Sequence, residues 1–343
     1  MSYISFQPHD HFDVKLWTGN GSSQTITGYE FQPDLAWIKA RTSTGWHDLT
    51  DAVRGVTKSI FSNSANAEDT AVTSLTAFTS DGYSFGTNSQ VNANGINYVG
   101  WNWKANGQGS SNTDGSINTT YTSANTTSGF SISTYSGTGS DGTIGHGLGV
   151  APKMVMVKSL TSTSWWMVYH ASLGNDKEIY LNQTNASGSS TTWNTTTPTS
   201  SLISLDGGAG NGVNASGQNY VCYAFAEKTG FSKFGSYTGN GNADGGFLFC
   251  GFKPALVIIK KTTGADNWIM FDNKRDTDNV VGNYLFPNTT AANASGTYMD
   301  FVSNGFKLRT SDGWVNNGSH SYIYMAFAEE PLVSSNGTPA TAR

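Results

Sequence analysis

The decapeptide NYVCYAFAEK at residues 219–228 is nearly written again at 321–330 as SYIYMAFAEE, and a more divergent version, NYVGWNWKAN, stands at 97–106. In all three, alternate positions carry the large apolar side chains: Val99, Trp101 and Trp103; Val221, Tyr223 and Phe225; Ile323, Met325 and Phe327. A period of two belongs to a β-strand, whose successive side chains point to opposite faces. The other face (Gly100 and Asn102, Cys222 and Ala224, Tyr324 and Ala326) is smaller and more variable. The pattern predicts a half-buried strand whose large face packs on a second sheet.

Working outward, two more landmarks recur in the same order. A glycine turn leading to Pro and an apolar strand begins at Trp17, Tyr135 and Tyr237, and a Trp opening a short strand stands at Trp46, Trp166 and Trp268. The third landmark, the strand itself, is entered through VNANG, VNASG and VNNGS from Val91, Val213 and Val315. Pro152 to Pro254, Trp166 to Trp268 and Val213 to Val315 are all 102 residues apart, and the first copy precedes the second by about 118–122. One offset held at three landmarks is internal repetition. A period near 100 residues is the size of a small domain, so each copy is expected to close around its own core.

Asp-Gly in TSDGYSF (79–85) and Asn-Gly in VSNGFKL (302–308) suit hairpin turns, and no 12-residue window has convincing helical periodicity. The expected fold is all-β: three tandem antiparallel β-sandwich-like modules of about 100 residues. The boundaries read as an N-terminal arm at 1–11, module one at 12–104, a polar linker at 105–127, module two at 128–228, module three at 229–333 and a tail at 334–343. The short join at Glu227–Gly230 predicts close packing of modules two and three, with module one placed more independently.

Composition narrows the function. Charged residues are only 13% and aromatics reach 13%, so the chain can bury large rings and fold. The net charge is −5 with Lys and Arg scattered, which argues against a nucleic-acid partner. No run of 18 apolar residues is present, so membrane insertion is not expected, and Met1–Ser5 shows no secretory leader. Cys222 and Cys250 each lie in apolar sequence and read as buried thiols; spacing alone does not say whether they pair.

The stretches FQPDLAWIKAR (31–41), DAVRG (51–55), FTSDGYSFG (78–86), VNANGINYVGWNWKA (91–105) and YIYMAFAEEPLVSSNGTPATAR (322–343) resemble repeated modules of tailed-phage virion proteins, described as similar to SPRY-type β-sandwiches. The resemblance covers nearly the whole chain. It implies a virion protein of a tail, fibre or appendage, with other virion proteins as partners and self-association, a trimer by analogy with phage fibres. It brings no ligand and no catalytic residue, and the later copies depart from the first, with ASLGN and NKRDT in place of AVRGV.

Motifs for chemistry are weak. His9, His11 and Asp13 fall short of a convergent metal set, NGNADGG (240–246) lacks a calcium loop's closing Glu, and the Gly-rich turns lack Gly-Lys-Ser/Thr. Asp48, Asp51, Glu178, Glu227, Asp272, Glu329 and Glu330 are the carboxylates a glycosidase would draw on, but Ala105 stands where the later copies have Glu227 and Glu329. Neither catalysis, a cofactor nor a metal is expected. Aromatic rings remain. Trp46, Trp166 and Trp268 recur and read as core, whereas Trp165, Trp193 and Trp314 are not shared between copies and are the expected ligand-binding residues. The expected function is attachment to host-surface glycans by a virion structural protein. A purely architectural capsid-decoration or tail-adaptor protein and a polysaccharide depolymerase are the alternatives.

Overall fold

The computed structural model describes residues 6–208 and 212–331, the side chains of Glu330 and Pro331 excepted. The tail at 334–343 and residues 1–5 of the arm lie outside the described residues. The fold is all-β and antiparallel throughout its strand ladders. One strand order recurs. In copy one, Phe12–Thr18, Asn97–Trp103, Leu35–Ala40, Asp48–Asp51 and Lys58–Phe61 lie side by side. Copy two repeats this with Phe130–Ser136, Asn219–Phe225, Met154–Ser159, Met167–His170 and Lys177–Tyr180. Copy three has Ser232–Thr238, Ser321–Pro331, Phe252–Lys261 and Trp268–Asp272. The 105–127 stretch, read as a linker, supplies strand Tyr121–Asn125, which adds to the edge of copy two's sheet.

In each copy a smaller sheet packs on this main one, giving a sandwich. Copy one's internal core joins Ile26, Leu75, Tyr83 and Phe85 of the small sheet to Trp17, Ile38 and Tyr98 of the large one. The recurring Val-Asn-…-Tyr sequence has a physical cause. Asn92, Asn214 and Asn316 are buried, and each accepts from the main-chain N–H of Asn20, Thr138 or Asn240 in the glycine turn (2.9–3.0 Å). Tyr98, Tyr220 and Tyr322 each accept from the main-chain N–H five residues earlier, and each ring stacks on Trp17, Tyr135 or Tyr237 at 5.0–5.6 Å. The first glycine of each turn is obligatory: a Cβ on Gly19, Gly137 or Gly239 would stand 2.3 Å from a carbonyl oxygen.

The large faces of the quoted strands do something the pattern did not announce. They leave the sandwiches and meet one another. Trp103, Phe225 and Phe327 occupy the same position in the three copies, and their ring centroids form a triangle with sides of 6.1, 5.4 and 5.9 Å. Around it a single apolar cluster draws residues from all three copies, among them Trp37, Trp101, Met156, Tyr223, Ile258 and Met325. Each main sheet is therefore buried on both faces, one lining its own sandwich and the other the shared centre. Each copy keeps a core of its own and adds this shared one, and copy one, expected to stand apart, is docked against both others.

The docking contacts repeat in a ring. Ser164 N donates to Ala65 O, Asp266 N to Thr184 O and Gly45 N to Thr290 O, at 2.7–3.0 Å. These are equivalent atoms joining copy two to one, three to two and one to three. A head-to-tail contact that closes after three repeats is a threefold rotation, here within one chain.

Strand register also corrects one landmark. Leu35 pairs with Asp51, Met154 with His170 and Leu256 with Asp272. Counting back four residues places His47, not Trp46, with Trp166 and Trp268. The N–H groups of all three donate to an asparagine side chain, Asn63, Asn182 or Asn288, at 2.9–3.0 Å. Trp166 and Trp268 then donate their indole N–H to a neighbouring copy, to Phe61 O at 2.9 Å and Tyr180 O at 2.8 Å. The same register shows that Arg275 repeats Arg54, so only copy two, with Leu173, departs.

Candidate functional site

Trp46 is thus equivalent to Trp165, and the two are the most exposed tryptophans whose neighbours can be compared, 39% and 48% accessible. Each lies on the ring of the matching strand residue, Trp46 on Phe61 at 4.4 Å and Trp165 on Tyr180 at 4.7 Å. Trp165 therefore is shared between copies, through a one-residue offset that hid the match.

The loop carrying Trp165 is held from below by Lys158, whose Nζ donates to Ser159 O (2.8 Å) and to Ala65 O of copy one (3.2 Å). Lys39 and Lys260 occupy the same place in the other copies and likewise donate to carbonyls of the loops. Burial brings all three ammonium groups down to about 8. The recurring Lys at the end of the apolar strand is a loop clamp.

Beside Trp165 opens a cleft of about 330 Å³ lined by Tyr180, Glu178, Gln218, Met167 and the hydroxyl-bearing run Ser162–Ser164. The Glu178 carboxylate accepts from Tyr180 Oη, Ser190 Oγ (2.6 Å) and Thr192 Oγ1 (2.7 Å), which fixes it in place. Burial, then the hydrogen bond and charge of Glu178, push the Tyr180 phenol above its usual range. Gln218 Oε1 accepts from Ser159 Oγ at 3.0 Å and from Ser162 Oγ. The result is a flat apolar ring with a carboxylate, an amide and hydroxyls at its margin. A pyranose, with C–H groups on its faces and hydroxyls on its rim, has the matching chemistry.

The other two expected binding residues sit differently. Trp193 is fully buried in copy two's sandwich, edge-on to Tyr169 at 5.8 Å, so it is not available to a ligand. Its polar surroundings in sequence misled because the neighbouring Thr192 is buried as well, its hydroxyl satisfied by the Glu178 carboxylate at 2.7 Å. Trp314 is half-buried among Phe286 (4.8 Å), Tyr284 (5.5 Å) and Tyr298 (6.3 Å). It is equivalent to Gln90 and Gly212, counting from Val91, Val213 and Val315, and it covers Phe286 as Trp46 covers Phe61. Copy three has Asn267 where the others have Trp46 and Trp165. Tyr180 and Gln218, which complete the Trp165 cleft, carried no sequence signal because one ends a strand and the other closes a turn 38 residues further on.

The remaining candidates have structural partners. His11 packs against Phe6 at 4.7 Å, and burial, with the charge of Lys104, holds its ring down to about 4. Asp13 pairs with Lys15 at 2.7 Å. Among the described residues no three His, Cys, Asp or Glu side chains are grouped to hold a metal. Asp51 and Asp272 are buried against Arg54 and Arg275, Glu227 pairs with Lys233 and Glu329 with Lys253. Asp48 is enclosed by Ser59 and Thr50, and its burial pushes the carboxyl up to about 6. Cys222 and Cys250 are free thiols in two different cores.

The chain belongs to the DUF7483 family, described as a domain of unknown function, whose family model matches residues 7–331. The match spans all three copies. No curated protein and no solved structure matches the chain.

Proposed function

We propose that this chain is a non-enzymatic structural protein of a tailed-phage particle, part of a tail, fibre or appendage, and that it attaches to host-surface glycans through the Trp165 cleft. The observation that carries the binding role is the indole of Trp165, held open to solvent on Tyr180 beside a fixed carboxylate and amide. Leaving such a ring half exposed forgoes part of the about 1.5–3 kcal/mol that full burial of a large apolar side chain gives, a loss that a ligand would recover. The particle role rests on the sequence resemblance, and a scaffold with buried sheets and surface loops suits it: the sheets are rigid and the loops carry contact. A glycan array probed with wild-type protein, Trp165→Ala and Trp193→Phe tests it. Binding lost in Trp165→Ala and kept in Trp193→Phe is the expected result; a blank array for the wild type overturns the glycan role.

The architectural reading has its own support. Phe247 and Phe249, 46% and 57% accessible, lie on the same side of the edge strand Phe247–Phe249, as a contact with a neighbouring virion protein would require. A blank array together with altered particle assembly in a Phe247→Ser/Phe249→Ser variant would favour it. Release of reducing ends from host polysaccharide would instead favour a depolymerase.

A further inference from the structure

We infer that the Trp46 cleft is a second saccharide site, so that one chain binds a repeating polysaccharide at two quasi-equivalent positions around its internal threefold axis. This rests on the glycan reading of the Trp165 cleft. The geometry is the same at both positions. Trp46 lies on Phe61 as Trp165 lies on Tyr180. The preceding residues, Gly45 and Ser164, make the equivalent bonds to Thr290 O and Ala65 O of the adjoining copy. Thr44, Gly45, Trp46, Gln90 and Thr290 line an open cleft of about 340 Å³. Gln90 reaches this cleft from the position that Gly212 holds beside Ser164 in copy two, its amide 3.6 Å from where a Cβ on Gly45 would be.

The clefts differ in margin. Glu178 gives the Trp165 cleft a carboxylate, whereas the Trp46 cleft offers only the neutral Gln90 amide and the Thr44 and Thr290 hydroxyls. The third position is filled from within, because Trp314 covers Phe286 and Asn267 replaces the exposed tryptophan. The binding class is therefore a polymer with a neutral sugar for the Trp46 cleft and one tolerant of a nearby carboxylate for the Trp165 cleft. Two tethered sites raise apparent affinity by on the order of a hundredfold or more where the polymer spans both.

The test takes whichever array polysaccharide the wild type binds and titrates that polymer and its single-repeat oligosaccharide by calorimetry. The oligosaccharide should saturate at two per chain in the wild type and at one per chain in Trp46→Ala and in Trp165→Ala. Polymer affinity should drop by about a hundredfold in either variant, with thermal midpoints close to wild type because both rings are largely at the surface. A wild-type stoichiometry of one, unchanged by Trp46→Ala while Trp165→Ala abolishes binding, overturns this inference and leaves the glycan reading intact. A wild type that binds no polysaccharide overturns both.

Discussion

Tyr223 Oη donates to Asp51 Oδ2 at 2.7 Å, joining copies two and one across 172 residues of sequence. Its counterpart is Trp101 Nε1, which donates to Asp272 Oδ2 at 3.0 Å and joins copies one and three. In both cases the aspartate is also held by an arginine three residues on, Arg54 or Arg275. At the third junction the donor position is Met325, which has no N–H or O–H to give. There the aspartate is replaced by His170 and the arginine by Leu173. His170 keeps the junction by donating Nε2–H to Tyr324 O at 3.2 Å. The buried charge is present only where a donor exists to satisfy it, as the cost of an unpaired buried carboxylate requires.

Tyr223→Phe should therefore destabilise the protein by about 1.5–3 kcal/mol, the worth of a hydrogen bond to a buried charged group. Arg54→Met should cost more, about 3–5 kcal/mol, because it strands Asp51. Equilibrium unfolding in urea measures both, and equal costs for the two would contradict the account.

Phe225→Ala removes one corner of the central triangle and should cost about 3–5 kcal/mol. Because the triangle belongs to all three copies, the whole chain should melt earlier in one transition. Calorimetry showing only part of the unfolding enthalpy shifted, with the rest at the wild-type temperature, would mean the copies unfold separately.

The two tryptophans singled out from sequence should separate cleanly. Trp193→Ala opens a cavity in copy two's core and should cost about 3–5 kcal/mol. Trp165→Ala, at the surface, should stay within about 1 kcal/mol while losing the glycan. Thermal melts of the two variants side by side give the comparison.

Acid should weaken the junction at His170. Its Nδ1 already accepts from Ser172 N at 3.2 Å, and burial holds the ring down to about 4 from 6.5. The unfolded chain takes up this proton below 6.5 and the folded chain does not until about 4, so stability is full above pH 6.5 and falls as pH drops through that window. This displacement corresponds to about 3 kcal/mol. His170→Gln keeps an acceptor and a donor and should flatten the fall by that amount. Asp48, whose carboxyl is raised, contributes in the opposite sense, but equally in both proteins, so it cancels from the difference. Parallel curves for wild type and variant between pH 6.5 and 4 would remove His170 from this role.

The all-β class and the threefold repetition were legible in the sequence, because period-two alternation, glycine turns and the Val-Asn-…-Tyr clamp are local and recur in each copy; the edge strand Tyr121–Asn125, in polar sequence without that alternation, was not. It showed which residues of NYVCYAFAEK share a face, but not what that face meets: Val221, Tyr223 and Phe225 alternate in the same way whether their partner is a sheet of their own sandwich or two other copies. Trp193 and Trp165 likewise sit in similar polar, Thr- and Ser-rich sequence, and only the packing buries one and exposes the other. The register of Trp46 depended on a hydrogen-bonded ladder, since a one-residue offset at one landmark leaves composition and spacing almost unchanged. The tertiary structure decided the rest: the shared centre and the Trp46 cleft join side chains of different copies, brought together by the closure of the three copies around one axis, and the Trp165 cleft joins Trp165, Tyr180 and Gln218 from separate segments of copy two.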